Sequence, residues 1–403
     1  MPNHADRAPS PFARHWMIDP EIAYLNHGSF GACPRPVLEA QVKWRERLER
    51  EAIVFLVDDL EDLLSAARSN VATFVGTDPD DLTFVPNATT GVNTVLRSLR
   101  LEPGDELITT NHEYNACRNA LEFVANRWGA KVIVAHVPFP IESPDAVVDA
   151  VLGRLSSRTR LGLFDHITSL TGMVMPVGRL VAELSARGID TLIDGAHAPG
   201  MLPLEIGALG ATYYTGNCHK WLCAPKGAAI LYVRRDRQSE IRPLSISHGA
   251  NSARTDVTRF QLEFGWTGTL DPSPWLCIPE AIRFMGSLLP GSWPELMERN
   301  RSLALEAREL LCRELHVEPP CPPEMIGALA SIPLASGAYD FTTTALGFDP
   351  IDEALRERYG IEVPVLACPD GPGSILRISA QIYNSMDQYE RLARAMRELA
   401  KPA

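Results

Sequence analysis

Short runs of β-branched and aromatic residues alternate along this chain with longer stretches whose apolar positions recur three and four apart. LTFVPN, ELITTN, KVIVAHV, RLGLFDHI and TLIDGAH read as strands. Between them ATTGVNTVLRSL, ACRNALEFVANRW, DAVVDAVLGRL and GRLVAELSARG read as helices, and ATYYTGN and GAAILYVRR add two more strands. Strands alternating with helices of this length predict an α/β fold of βαβ units, with a mainly parallel sheet covered on both faces. Ahead of this region, past the turn at Pro34 and Pro36, a helical pattern runs over 37–74 with a break expected near 53–56, and TDPDD carries helix-cap chemistry.

The pattern changes beyond about residue 290. A long helix, SWPELMERNRSLALEARELLCREL, leads into a proline-rich link at 319–323. SIPLA, a helix near 351–359, the strands IEVPVLA and SILRISA, and a final helix MDQYERLARAMREL follow. The expected organisation is an N-terminal arm over 1–20, a large domain over 21–290 and a smaller C-terminal α/β domain over 291–403. The opening, MPNHADRAPSPFARHWM, reads as a loose polar arm. It has no apolar core ahead of a cleavage site, so no secretory leader is expected.

Composition narrows the function. The 403 residues carry a formal charge of −12, which argues against non-specific nucleic-acid binding but leaves room for a local basic pocket. No apolar run is long enough to span a bilayer. The eight cysteines form no CxxC pair and no Cys/His cluster with metal-ligand spacing, so no metal is expected. They read as reduced, mostly buried residues of a cytoplasmic protein.

In open parallel sheets, ligands bind at the carboxyl ends of the strands. The residues there are Asn87-Ala88-Thr89-Thr90 after LTFVP, Asn111-His112-Glu113-Tyr114 after ELITT, and Asp165-His166-Ile167-Thr168-Ser169 after RLGLF. Asp194-Gly195-Ala196-His197 follows TLI, and Thr215-Gly216-Asn217-Cys218-His219-Lys220 follows ATYY. Each group has an ordinary reading: an Asp can be a cap, a Lys a surface charge, a Tyr a packed aromatic. Jointly they match pyridoxal 5'-phosphate (PLP). Ala88 and Thr89 open a helix whose N-terminus favours a phosphate, with Thr215 and His219 able to close round it. Tyr114 suits stacking on a flat ring, Asp194 a protonated pyridine nitrogen, and Lys220 an imine with the aldehyde.

The chain resembles fold-type I PLP enzymes of the class V aminotransferase group, and YLNHGSFG, NHEYNA, HITSLTG, DGAHAPG, TGNCHKW and LRISAQIYN resemble the isopenicillin N epimerase branch. The resemblance covers nearly the whole chain. It implies a seven-stranded type of large-domain sheet, Lys220 as the Schiff-base lysine and acid/base, Asp194 at the ring nitrogen, His197 near the ring hydroxyl and Tyr114 on the ring. It also implies Ala88, Thr89, Thr215 and His219 at the phosphate, and Ser169 near the ring oxygen or substrate. Arg377 becomes the substrate-carboxylate clamp, with Asn26, His27 and Gly28 bordering the substrate. Members are homodimers with shared sites, which implies that Gly268 and Thr269 reach the partner's phosphate.

The implied reaction is epimerisation or racemisation at the α-carbon of an amino-acid-derived substrate. It needs a second acid besides Lys220, for which Tyr114 is the candidate. Carbon–sulfur cleavage is the alternative, with Cys368 in ACPDGPGS as a candidate persulfide carrier. Transamination is a third possibility. A PLP-binding regulator would need a DNA-binding module, and none is visible. One departure concerns Leu270, which stands where the epimerase pattern has a basic residue. Arg254 or Arg259 is a candidate to compensate.

Overall fold

The structure is a computed structural model that describes residues 10–334, 350–368, 371 and 373–400. Residues 1–9 of the expected arm and the last residue of SIPLA lie outside the described residues. The chain opens with a short strand, β1 (Ala23–Tyr24), followed by α1 (Arg35–Arg50) and α2 (Leu60–Val75). A π-helical stretch, Val54–Asp59, sits between the two helices, where the break was expected. Then come β2 (Leu82–Val85), α3 (Ala88–Ser98), β3 (Glu106–Thr110), α4 (Asn115–Trp128), β4 (Lys131–Ala135), α5 (Pro144–Leu152), β5 (Thr159–Asp165), α6 (Val177–Ser185), β6 (Asp190–Asp194), β7 (Tyr213–Asn217) and β8 (Ala229–Val233).

These strands form one seven-stranded sheet in the order β2-β8-β7-β6-β5-β3-β4. β7, β6, β5, β3 and β4 run parallel, and β8 runs antiparallel to both of its neighbours. The period-2 alternation of the strands assigns residues to the two faces. Leu161, Leu163, Leu192, Tyr213 and Leu231 pack under α3 and α4 against Val92, Val95, Leu96, Cys117, Leu121 and Val124. Phe164, Ile193, Tyr214 and Ile230 face the other way, into a larger core that includes Val147 and Val151 of α5 and Leu180 and Leu184 of α6.

The remainder holds α7 (Ile278–Gly286), α8 (Ser292–Glu314), β9 (Leu329–Leu334), α9 (Pro350–Tyr359), β10 (Ile361–Glu362), β11 (Val365–Cys368), β12 (Gly373–Ser379) and α10 (Met386–Leu399). IEVPVLA, expected as one strand, is two. Pro364 has no N–H to give a ladder, and the chain changes partner across it: β10 pairs with β1, β11 with β12. β12 also pairs with β9, completing a three-stranded sheet that carries Arg377.

The opening stretch is not loose from Ser10 onward. The Ser10 N–H donates to the Tyr383 carbonyl, Trp16 is buried, and its ring meets that of Tyr383 at 5.1 Å. All eight cysteines are buried, as expected of most of them. Among the described residues no helix is long and apolar enough to cross a membrane.

Candidate active site

Register places the chemistry. Asp165, Asp194 and Thr215 are paired in one row across β5, β6 and β7. They alternate with Phe164, Ile193 and Tyr214, so all three point toward α3 and α4. Asp194 ends β6 with both oxygens engaged: Oδ1 accepts from the Ala196 N–H at 2.9 Å and Oδ2 from the Cys117 thiol at 3.1 Å. Cys117 stands one turn beyond Tyr114 at the start of α4, on the same side of the helix. Tyr114 precedes that helix and is 44% exposed, which leaves it accessible to a ligand.

Lys220 follows β7 on a tight turn, and its Nζ lies 3.0 Å from His197 Nε2. The Trp221 indole N–H donates to His197 Nδ1 at 3.3 Å, which makes that nitrogen the acceptor. The neutral imidazole then carries its proton on Nε2, facing a lysine amine that can accept it. Burial holds His197 well below its usual value, with the charges of Lys220 and Arg377 adding to the effect. Burial, reinforced by the Arg377 charge, lowers Lys220 to about 8, while Asp194 and Asp165 oppose the shift.

The first turn of α3 faces the same space. Asn217 Oδ1 accepts from the Ala88 N–H at 2.8 Å, and Asn87 caps the helix through the Thr90 N–H at 2.8 Å. The Thr89 N–H has no partner among the described residues. His219 donates Nδ1–H to the Ala228 carbonyl at 2.9 Å, so its Nε2 is the open acceptor, and burial lowers it to about 4. Thr215 departs from expectation. Its hydroxyl donates to the Ile230 carbonyl at 2.8 Å, and a Cβ on Gly91 would lie 2.2 Å from Thr215 Oγ1. Thr215 is therefore packed under the interior of α3, and Asn217, two residues on, meets the helix end. A second difference concerns His27. Expected at the substrate, it is fully buried, with Nδ1 2.7 Å from the Tyr383 hydroxyl and Nε2 3.1 Å from the Lys220 carbonyl. It supports the lysine turn from behind.

Arg377 is buried in β12, with Nη2 donating to Ser29 Oγ at 2.9 Å and Nη1 to the Ser169 carbonyl. Ser29 in turn donates to Asn26 Oδ1 at 2.5 Å. Gly28 sits tightly in the same turn: its N–H donates to Ser379 Oγ at 3.0 Å, and a Cβ there would meet Leu329 Cδ2 at 2.6 Å. Gly268 and exposed Thr269 lie on a loop beside Leu60, Phe264 and Trp266, and no contact described for them reaches the Lys220 pocket. Arg254 is taken by Glu61 and Asp256 at 2.6–2.8 Å, and Arg259 by Glu263, so neither is available beside Leu270. Cys368 is buried in β11, not in the exposed setting that a persulfide carrier requires. A cleft of about 1110 Å³, lined by Arg97, Arg127 and Arg160, lies at the amino ends of the strands and holds none of these residues.

Aminotransferase class-V describes the family whose model matches residues 33–304. The chain belongs to this family. It is 38% identical over 398 residues to an isopenicillin N epimerase of Amycolatopsis lactamdurans, covering 95% of this chain and 96% of the relative. A probable chloroplastic L-cysteine desulfhydrase of Arabidopsis thaliana is 30% identical over 97% of this chain and 85% of its own length. A solved structure of the C-DES protein with glycine covalently linked to its PLP cofactor superposes with a TM-score of 0.76 at 22% identity, covering 98% of this chain and 99% of that one. The family makes this chain a PLP-dependent enzyme of fold type I. The residues fit that cofactor. A carboxylate at a strand end is oriented by two donors, a lysine is depressed toward neutrality, and a helix N-terminus keeps an open N–H between two polar side chains.

Asn217, Cys117 and Trp221 were not singled out from the sequence. Asn217 had a usable signal in the two-residue strand period, which puts Thr215 and Asn217 on one face with Asn217 nearer the strand end.

Proposed function

We propose that the enzyme inverts the configuration of an amino-acid α-carbon, acting on an isopenicillin N-like or other amino-acid-derived substrate. The observation that carries this reading is the pairing of a depressed Lys220 with an incompletely engaged Arg377, supported by 38% identity along nearly the full length of an isopenicillin N epimerase. PLP supplies an electron sink that makes the α-proton acidic.

The chain's own residues do the rest. Lys220 would attach the cofactor and afterwards serve one face of the α-carbon, taking the proton there in one direction of inversion and delivering one in the other. Asp194 holds the ring nitrogen, and His197 borders the ring hydroxyl while orienting Lys220. Ala88, Thr89, His219 and Asn217 hold the phosphate. Ser169 lies near the ring oxygen, and Arg377, steadied by Ser29 and Asn26, grips the substrate carboxylate. Tyr114 would cover the face opposite the lysine, its hydroxyl delivering the proton there when Lys220 has taken one, and both groups would recover their starting states by exchange with solvent. Epimerisation is redox-neutral: one C–H bond breaks and one forms on the opposite face.

We further propose a cytoplasmic homodimer, with exposed Thr269 reaching the other subunit's phosphate site. Eight buried thiols suit a reducing compartment. The similarity to an L-cysteine desulfhydrase keeps carbon–sulfur cleavage as the second reading. One experiment separates the two. The PLP-loaded enzyme is incubated in D2O with L-amino acids, peptides ending in D- or L-valine, and cysteine thioethers and sulfoxides. Deuterium at an inverted α-carbon with sulfur retained supports epimerisation. Pyruvate, ammonia or released sulfur overturns it in favour of a lyase.

A further inference from the structure

Asp194 is not alone beneath the cofactor site. Glu113, at the approach to α4, and Asp165, paired with Asp194 across β5 and β6, are both more than nine-tenths buried in the same layer. The ligand atoms of Glu113, Cys117 and Asp194 lie within 4.8 Å of one another. Three carboxylates therefore share one water-poor volume. Different cations bear on the three: Lys220 influences Asp194 and Asp165, Arg118 influences Glu113, and Arg377 influences Tyr114. The other titratable neighbours are Tyr114, Cys117, His197, and Tyr214 with its partner His166. Burial raises the three phenol and thiol groups and lowers the two histidines, so all five are neutral near pH 7.

Hydrogen bonds distinguish the three carboxylates. Asp194 has a donor on each oxygen. Glu113 Oε2 accepts from the Thr109 hydroxyl at 3.1 Å, but its Oε1 has no partner, and neither does Asp165 Oδ2. A buried carboxylate oxygen without a donor costs several times what a satisfied one does, whereas a proton on it turns the orphan acceptor into a donor. Like charges at this spacing cannot all ionise in a buried site.

We propose that Glu113 and Asp165 are positioning residues held as neutral carboxylic acids at neutral pH, leaving Asp194 as the single anion that faces the ring nitrogen of PLP. The two protons prevent extra negative charge from accumulating under the ring, and they spare Asp194 from being the group that takes up a proton. Burial first, then repulsion among the carboxylates, raises both acids well above their ordinary range against the pull of the Tyr114 N–H; burial raises Asp194 too, but the Cys117 and Ala196 donors and the Lys220 charge oppose it there, which favours Asp194 as the anion. The inference rests on the reading of Asp194 as the partner of the ring nitrogen.

Infrared spectroscopy of the PLP-loaded protein at pD 8 tests it. Exposed carboxyls are ionised there, so a carbonyl band of a protonated acid reports buried groups alone. The wild-type protein shows such a band, and Glu113→Gln and Asp165→Asn, which mimic the neutral acids, each remove a component while keeping PLP affinity within about threefold. Absence of the band, or its survival in both variants, overturns the proposal. If either variant fails to fold, absence of the band from the wild type still overturns the proposal, and loss of a component in the other variant still supports it. Thermal denaturation of the cofactor-free protein is a second readout. A raised folded pKa means that the native state binds more protons than the unfolded chain, so stability falls as pH rises above about 4.5. Glu113→Gln flattens that fall, and an unchanged slope counts against the assignment. Asp194→Asn separates the underlying reading. If the pH titration of the visible cofactor band is the same in that variant as in the wild type, Asp194 does not hold the nitrogen, whatever the infrared result.

Discussion

Arg377 enters the site with its fork only partly used: Nη2 donates to Ser29, Nη1 to the Ser169 carbonyl, and Nε has no partner among the described residues. Burial lowers it to about 10, still far above neutrality, so it presents a positive charge at every working pH. Arg377→Lys keeps a charge but loses the planar fork. The expected loss is about 2–4 kcal/mol, or roughly 30- to 10³-fold in kcat/KM, carried mostly by KM. Steady-state kinetics checks this, with an unchanged visible band of the loaded protein showing that the cofactor site is intact. Tyr114→Phe keeps the ring and removes the hydroxyl. If that hydroxyl is the second acid, inversion falls by about 10²–10⁴-fold while deuterium exchange with retention continues, because Lys220 still serves its own face. Parallel loss of exchange and inversion would remove Tyr114 from the acid role. At this scale residue types were legible in the sequence and burial was not. HITSLTG and LRISAQIYN drew attention to Ser169 and Arg377, which the structure brings together. Nothing in LNHGSFG says that His27 faces the Tyr383 hydroxyl and the lysine turn, because its partners lie 193 and 356 residues away.

Helix α3 shows how an element carries the site. Val92, Val95 and Leu96 are fully buried under the sheet, each worth about 1.5–3 kcal/mol, and that sum fixes the helix against β7 and β8. Gly91 in its second turn costs about 1 kcal/mol relative to Ala, yet it allows the close approach to Thr215. Gly91→Ala gains that propensity and meets Thr215 Oγ1 at 2.2 Å. Overpacking of this kind costs about 1–3 kcal/mol, so the net expectation is a loss of about 1 kcal/mol and a weaker hold on PLP as the helix start shifts. Gly91→Ala combined with Thr215→Ala removes the γ-oxygen that makes the clash, and a double-mutant cycle in urea measures the coupling; strict additivity would sink the contact argument. The elements themselves were largely readable, because every βαβ unit alternates with the right periods and even the break between α1 and α2 shows in the pattern. The split of IEVPVLA was not read, although Pro364 marks it. The helix α7 was missed because Ile278–Gly286 follows a proline-rich turn and offers only two turns of periodicity.

At the scale of the whole molecule, two sheets meet at one lysine. The seven-stranded sheet delivers Asp194, His197 and Lys220, the three-stranded sheet delivers Arg377, and the turn at Asn26–Ser29 ties the two together. This convergence was legible only in part. Motif order along the chain implied a shared site, but the opposing influences on Lys220 depend on groups from four separate segments. Burial and Arg377 push its pKa down, and the Asp194 carboxylate resists, for a balance of about 8. Attack on the aldehyde of PLP requires the neutral amine, whose fraction grows about tenfold per pH unit below the pKa and levels off above it. Reconstitution of the cofactor-free protein should therefore accelerate about tenfold from pH 6 to 7, less steeply toward 8, and then reach a plateau. An unperturbed lysine would keep accelerating to beyond pH 10. Arg377→Met removes the cation that helps lower Lys220, so the plateau moves to higher pH, whereas Asp165→Asn removes an opposing anion only if that group is ionised. Stopped-flow absorbance across this range reads both. A plateau that shifts with Arg377 and stays fixed with Asp165 would mean that the lysine responds to a cation at the substrate clamp and to no second anion below it.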